Sequence, residues 1–215
     1  MPGVRGKKYD GRVLRGRRNR EAVVEALLGL VANGDLNPTA EAIARRAGIS
    51  RRSVFQHFAD LESIYEAAGK RVGAALQPLL GPIDPTLPVM TRIEALAARR
   101  RSLFDTVDPI ARAARVREPF SEQLRLSRQR LSLMMREQCR QAFAPELAEL
   151  PTVAADETAS ALAGALSWSL WNHLRADLDL GSEEALAVMT RLVAGLVALP
   201  PSERAGLPLE GAVPR

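Results

Sequence analysis

Two short helical stretches on either side of one glycine constrain this chain more than any other feature. They lie in Thr39-Ala-Glu-Ala-Ile-Ala-Arg-Arg-Ala-Gly-Ile-Ser-Arg-Arg-Ser-Val-Phe-Gln-His-Phe58. Thr39 and Ser50 each stand where a side-chain oxygen can take an orphan backbone N–H at a helix start. Ile43 and Ala47 are four apart and share a face, as do Val54 and Phe58. Ala44 leaves room for a neighbouring helix. Gly48 follows the first periodic stretch at once, the place for a left-handed residue that ends a helix and redirects the chain. Ile49 plugs the turn. Two helices this short are unstable alone and need clamping elements on both sides.

Those clamps are legible. A first helix is predicted from Arg18 to Asn33, with Val23, Val24, Leu27, Leu28 and Val31 as its apolar stripe and Asn33-Gly34 as its end. The second runs from Thr39 to Arg46 and the third from Ser50 to His57. A fourth starts at Asp60 and extends towards Leu80, before Pro82, Pro85 and Pro88 break the chain. Longer helices follow over about 89–106, 109–116, 120–143, 153–176 and 182–198, separated by Asp108-Pro109, Pro145, Pro151 and Gly181. No alternating strand pattern interrupts them. The expectation is an all-α protein with a disordered basic arm over 1–17, a helix-turn-helix unit over 18–66, a larger helical domain over 67–200 and a mobile tail over 201–215.

Charge is unevenly placed. The chain of 215 residues carries a formal net charge of +5. Residues 1–20 hold eight basic residues and one acid, a net of +7, which leaves −2 for the rest. The excess of arginine, 27 against 3 lysines, fits a G and C rich coding sequence, but base composition does not explain why so much positive charge gathers in the arm. One cysteine, Cys139, excludes an intramolecular disulfide framework and a cysteine metal cluster. It reads as a buried small hydrophobe. No apolar run reaches the roughly 18 residues of a membrane span, and the start lacks the apolar segment of a secretory signal. A cytoplasmic protein without a membrane partner is expected. Catalytic and nucleotide-binding motifs are absent from the sequence. His57 and His173 fall in different units, so no metal site, cofactor or enzyme activity is expected.

The third helix presents Arg51, Arg52, Ser53, Gln56 and His57 as its polar face, and Ala42 to Ala59 contains four arginines and no acid. A helix fits the major groove of double-stranded DNA, where arginine and glutamine read guanine and adenine edges. Helix N-termini at Thr39 and Ser50 offer N–H groups to phosphates. Arg12, Arg15, Arg17 and Arg18 precede the first helix closely enough to reach the neighbouring backbone or minor groove. His57, at the helix end, reads as a phosphate neighbour.

Residues 20–66 resemble the DNA-binding domain of the TetR family of transcriptional regulators. Thr39, Ile43, Ala44, Ala47, Gly48, Ser50 and Phe58 fall on the family pattern, and His57 stands at its usual Tyr/His place. The match is specific but covers only about a quarter of the chain. Three positions depart from it. Arg52 replaces a glycine or small residue, Phe55 a tyrosine that contacts phosphate in the family, and Leu61 a lysine.

The resemblance implies a homodimer built from the last two long helices, reading a palindromic operator as a repressor that responds to a small organic effector. Small residues over 153–176 (Ala154, Ala155, Ala159, Ala161, Ala163, Gly164 and Ala165) and the apolar stripe Leu186, Met189, Leu192, Val193, Leu196 and Val197 fit such an interface. They fit an internal core equally. Candidate pocket residues are Phe104, Phe120, Leu124, Leu131, Met134, Met135, Trp168, Trp171 and His173, each of which also reads as ordinary packing. The alternative function is an architectural DNA-binding protein without sequence preference or effector.

Overall fold

The structure, a computed structural model, describes residues 5–199, with the side chains of 5–10 and of Arg12 outside the description. All regular structure among the described residues is helical. The expected tail over 201–215 lies outside them. The chain folds as two compact units. The front unit is the chain through Ala75 together with Val107–Arg128, and the rear unit is Leu76–Thr106 together with the chain from Gln129 onward.

In the front unit, α1 (Arg5–Ala32), α2 (Ala40–Ala47), α3 (Arg51–His57) and α4 (Leu61–Leu76) surround one apolar core. Val23, Leu27 and Val31 of α1, Ile43 of α2, Val54 of α3 and Ile64 of α4 are all but inaccessible to solvent. The predicted stripe on the first helix is therefore its core face. That helix begins earlier than its periodicity implies. Its backbone is helical from Arg5, where an irregular arm was expected over 1–17, and only residues 1–4 of that arm lie outside the description. Arginine and lysine are good helix formers, and extending a helix already nucleated costs no new nucleus. The missing periodicity marks a missing buried face: Val13 and Leu14 are both about half exposed.

The remaining helices are α5 (Val89–Arg117), α6 (Glu122–Ala142), α7 (Ala144–Ala148), α8 (Thr152–Ala165), α9 (Trp168–Asn172) and α10 (Ser182–Ala198). Two predicted boundaries are corrected. Asp108-Pro109 does not divide the segment, because Pro109 lies inside a continuous α5. Proline removes one helical donor. The helix is held on its far side by buried Ala113 and by the Asp108–Arg112 ion pair, 2.8 Å, which straddles the proline. Conversely, 153–176 is not one helix. It breaks at Leu166, and the Ser167 hydroxyl restarts it by accepting the Leu170 N–H at 3.2 Å.

The domain boundary also shifts. Ala113 is part of the front core, and Ile110 and Leu124 pack against it, so Val107–Arg128 belongs with the front unit rather than with a domain starting at residue 67. In the rear unit α8 packs on α7 and α10. Buried Ala154, Ala159 and Leu162 of α8 and Ala185, Met189 and Val193 of α10 form core faces there. Arg92 is buried on α5 but fully engaged: it donates to both Glu146 carboxylate oxygens, at 2.8 and 2.5 Å, and to the carbonyls of Leu87 and Ala142.

Candidate nucleic-acid interface

The turn between α2 and α3 is built as the sequence implies. Thr39 accepts the Ala42 N–H at 3.1 Å, and Ser50 accepts the Ser53 N–H at 3.1 Å. Gly48 has φ +68°, and its N–H closes α2 on the carbonyls of Ala44 and Arg45. A Cβ on Gly48 would meet nothing within 4 Å, so glycine is required there by the backbone angle and not by crowding. Val54 and Phe58 face the core, which turns Arg51, Arg52 and Gln56 to solvent.

The polar side chains on that face are not equivalent. Arg51 forms an ion pair with Glu41 of α2 at 3.0 Å, and its guanidinium lies 5.6 Å from the Phe55 ring centroid. Ser53 is engaged with Ser50, hydroxyl to hydroxyl at 2.9 Å. Arg52 and Gln56 are exposed and make no side-chain hydrogen bond or ion pair among the described residues. Glu41 is the acid that sequence reasoning passed over. It sits one residue before the acid-free stretch, and only the turn brings it to Arg51.

A second tie joins α1 to the end of α3. Arg20 donates to the His57 carbonyl at 2.6 Å and stacks over the Phe58 ring at 4.1 Å. A Cβ on Gly16 would lie 3.7 Å from His57 Cε1, so the amino-terminal part of α1 runs beside the end of α3. Arg15, Arg17 and Arg18 are exposed on this helix, and Arg17 is paired with Glu21 at 3.1 Å. The side chain of Arg12 lies outside the described residues. Two of the sequence departures now have local roles. Leu61 packs against the front core, and Phe55 supports Arg51.

Below this face, Tyr65 is buried and its hydroxyl has no hydrogen-bond partner among the described residues. Burial pushes its pKa up to about 12, against the lowering effect of nearby Arg117, whose guanidinium lies 5.3 Å from the ring; Asp35 adds to the rise.

The predicted pocket residues fall in both units and differ in exposure. Phe120 is 85% exposed, and Leu124 packs on the front core. Both belong to the front unit, whereas the other candidates belong to the rear one. There, Leu131, Met134 and His173 are exposed. Phe104, Met135 and Trp171 are buried, with the Phe104 and Trp171 rings 6.1 Å apart, and Trp168 is half-buried. The reason is helical phase: positions 131 and 134 fall on the solvent side of α6, and 135 and 139 on its core side. An open cleft of about 570 Å³ in the front unit is lined by Arg115, Glu118, Glu122 and the predicted Phe120, with their neighbours. Among the described residues no group of three or more His, Cys, Asp and Glu is placed to hold a metal ion. No described helix is long and apolar enough to cross a membrane.

The arrangement of helices matches solved structures. A transcriptional regulator from Rhodococcus sp. RHA1 aligns with a TM-score of 0.64 at 15% identity, over 85% of this chain and 95% of that one. A TetR-like transcriptional regulator from the same source gives 0.56 at 18% identity, over 86% and 97%. The chain has the fold of the TetR-like regulators. A proposed TetR-family regulator from Mesorhizobium loti gives 0.53 at 19% identity, over 86% and 96%. No family model matches the chain, and no curated protein is significantly similar to it. In this TetR-like fold the capped α2 and α3 form the helix-turn-helix, and the core that orients them extends into α5 and α6.

Proposed function

We propose that the chain is a sequence-specific DNA-binding transcriptional regulator, acting as a homodimeric repressor on a palindromic operator. The observation that carries this reading is the outward face of α3, with unengaged Arg52 and Gln56 on a helix whose angle is fixed by two caps, Gly48 and the front core. Arg52 and Gln56 have the donors that read base edges in the major groove. Thr39, Ser50, Arg51, Ser53 and His57 would engage flanking phosphates or place the readers; Arg15, Arg17 and Arg18 would add basic contacts from α1, and Arg12 joins them by its position in the sequence. The TetR-like fold of the solved regulators supports the reading.

Dimerisation rests on what α8 and α10 leave uncovered. One face of each is taken up by the rear core. The other carries Val153, 70% exposed, and Leu192, 45% exposed. Gly164 and Gly195 have open space where a Cβ would be, so a second pair of helices can approach closely. A two-fold dimer would set two α3 helices about 34–36 Å apart on bound DNA. A small organic effector acting on the rear unit would alter that spacing, provided it binds the DNA-competent and incompetent states unequally.

Selection of binding sites from random duplexes, followed by titration at several salt concentrations, tests the reading. The expected result is an inverted-repeat site bound by a dimer, at least about 1,000-fold more tightly than random DNA. Equal affinity for all duplexes would favour an architectural protein.

A further inference from the structure

Arg100 is a buried arginine of the described core whose guanidinium has neither a carboxylate nor a carbonyl around it. It is 0% exposed, and none of its three nitrogens reaches an oxygen acceptor among the described residues. Arg92, two helical turns earlier on α5, shows what a buried structural arginine looks like in this fold, with a carboxylate and two carbonyls around it. Among the described residues the one polar partner of Arg100 is the buried Cys139 sulfur of α6, a weak acceptor that does not neutralise the charge, and the neighbouring cation Arg99 opposes it. Arg99 is itself committed to the Gly81 and Pro82 carbonyls. Among the described residues no carboxylate faces this pair of guanidinium groups.

A guanidinium does not shed its proton in a protein. An unpaired buried cation is strongly destabilising, and the loss is recovered only when an anion with good geometry arrives. The surroundings define that anion. Leu96, Ala97, Leu103 and Phe104 lie on the same face of α5, Met135 and Cys139 on the facing side of α6, and Trp171 packs on Phe104. One fully buried charge among apolar and aromatic walls suits one anionic head and an apolar body. The planar fork of the guanidinium matches a carboxylate in two parallel hydrogen bonds.

We propose that Arg100 is the anchor of an internal ligand site in the rear unit, and that its ligand is an organic monocarboxylic acid with an apolar or aromatic body. The assignment deepens the effector reading above and rests on it. Loading requires the packing around Arg100 to open, and an unpaired cation in the closed interior lowers the cost of that opening.

The test uses the full chain, wild type and Arg100→Met, with benzoate, phenylacetate and octanoate, their primary amides, and chloride and phosphate as inorganic anions. Removing an uncompensated charge while keeping volume should raise the melting temperature of the ligand-free protein, by about 2–4 °C or more. At least one acid should raise the wild-type melting temperature and quench Trp171. Its amide should not, and R100M should bind that acid about 10–100-fold more weakly. A lower melting temperature for R100M would make Arg100 structural and overturn the proposal. So would no response to any of the acids, or an equal response to acid and amide, or to chloride or phosphate. Operator affinity separates the two readings. An acid that binds through Arg100 without changing DNA affinity leaves the site intact and removes the effector role. An amide that binds and changes DNA affinity keeps the effector role and removes the acid.

Discussion

The guanidinium of Arg20 on α1 donates a 2.6 Å hydrogen bond to the carbonyl of His57, the last residue of α3. It also covers the Phe58 ring at 4.1 Å. Terminal helix carbonyls are orphan acceptors that bear partial negative charge. One cation thus satisfies the end of α3 and ties it to the helix that carries the basic arm.

Arg20→Ala should cost about 1 kcal/mol of stability, the worth of an exposed charge-assisted hydrogen bond plus a ring contact. Urea denaturation of the full chain measures it. DNA affinity should fall further than for a surface arginine on the rear unit, because the angle of α3 is loosened.

Arg52 and Arg51 should separate by specificity. Arg52→Ala should cost about 1–3 kcal/mol on the preferred site and little on random duplex. Arg51 is held by Glu41 at 3.0 Å, so Glu41→Gln should release it and tighten binding to all duplexes alike. Paired titrations on selected and scrambled DNA report both.

Arg15→Ala with Arg18→Ala should reduce the slope of log affinity against log salt by up to about 1.8, which is about 0.9 for each phosphate left without its cation. Arg17→Ala should reduce it less, because Glu21 at 3.1 Å already offsets that charge. An unchanged slope in the double variant would leave the amino-terminal half of α1 without a role on DNA.

Glu146→Ala should be among the most damaging single changes in the rear unit, at about 3–5 kcal/mol, because it strands the buried Arg92 guanidinium. Thermal and chemical denaturation should both register it. The contrast with a stabilised Arg100→Met is informative, since both experiments concern the same residue type on the same helix.

Tyr65 gives an alkaline limit. Its folded pKa of about 12 lies above the ordinary 10.0, so the folded state keeps the phenol proton while the unfolded state loses it. The associated stability is complete below pH 10 and declines by up to about 1.4 kcal/mol per pH unit between 10 and 12. Tyr65→Phe removes an unpartnered buried hydroxyl, so it should flatten that decline without destabilising the protein at about pH 7. Denaturation midpoints from about pH 8 to 11.5 test this.

Local rules carried the front unit from the sequence alone. Capping by Thr39 and Ser50, the glycine demanded at position 48 and the stripe on α1 are interactions within a few residues, so spacing and residue type determine them. The face of α3 followed from the burial of Val54 and Phe58. What joins distant segments was not legible. Glu41 meets Arg51 only because the turn folds α3 back on α2. Arg20 reaches His57 across 37 residues, and Ala113 and Leu124 enter a core that starts at Val23. Helical phase sent Leu131 and Met134 outward, and a capping serine at 167 restarts a helix where the alanines predicted one unbroken element. Arg92 and Arg100 are indistinguishable as letters. Glu146, 54 residues away, reaches one and not the other, and charge compensation in an interior depends on what the tertiary fold brings within hydrogen-bonding distance.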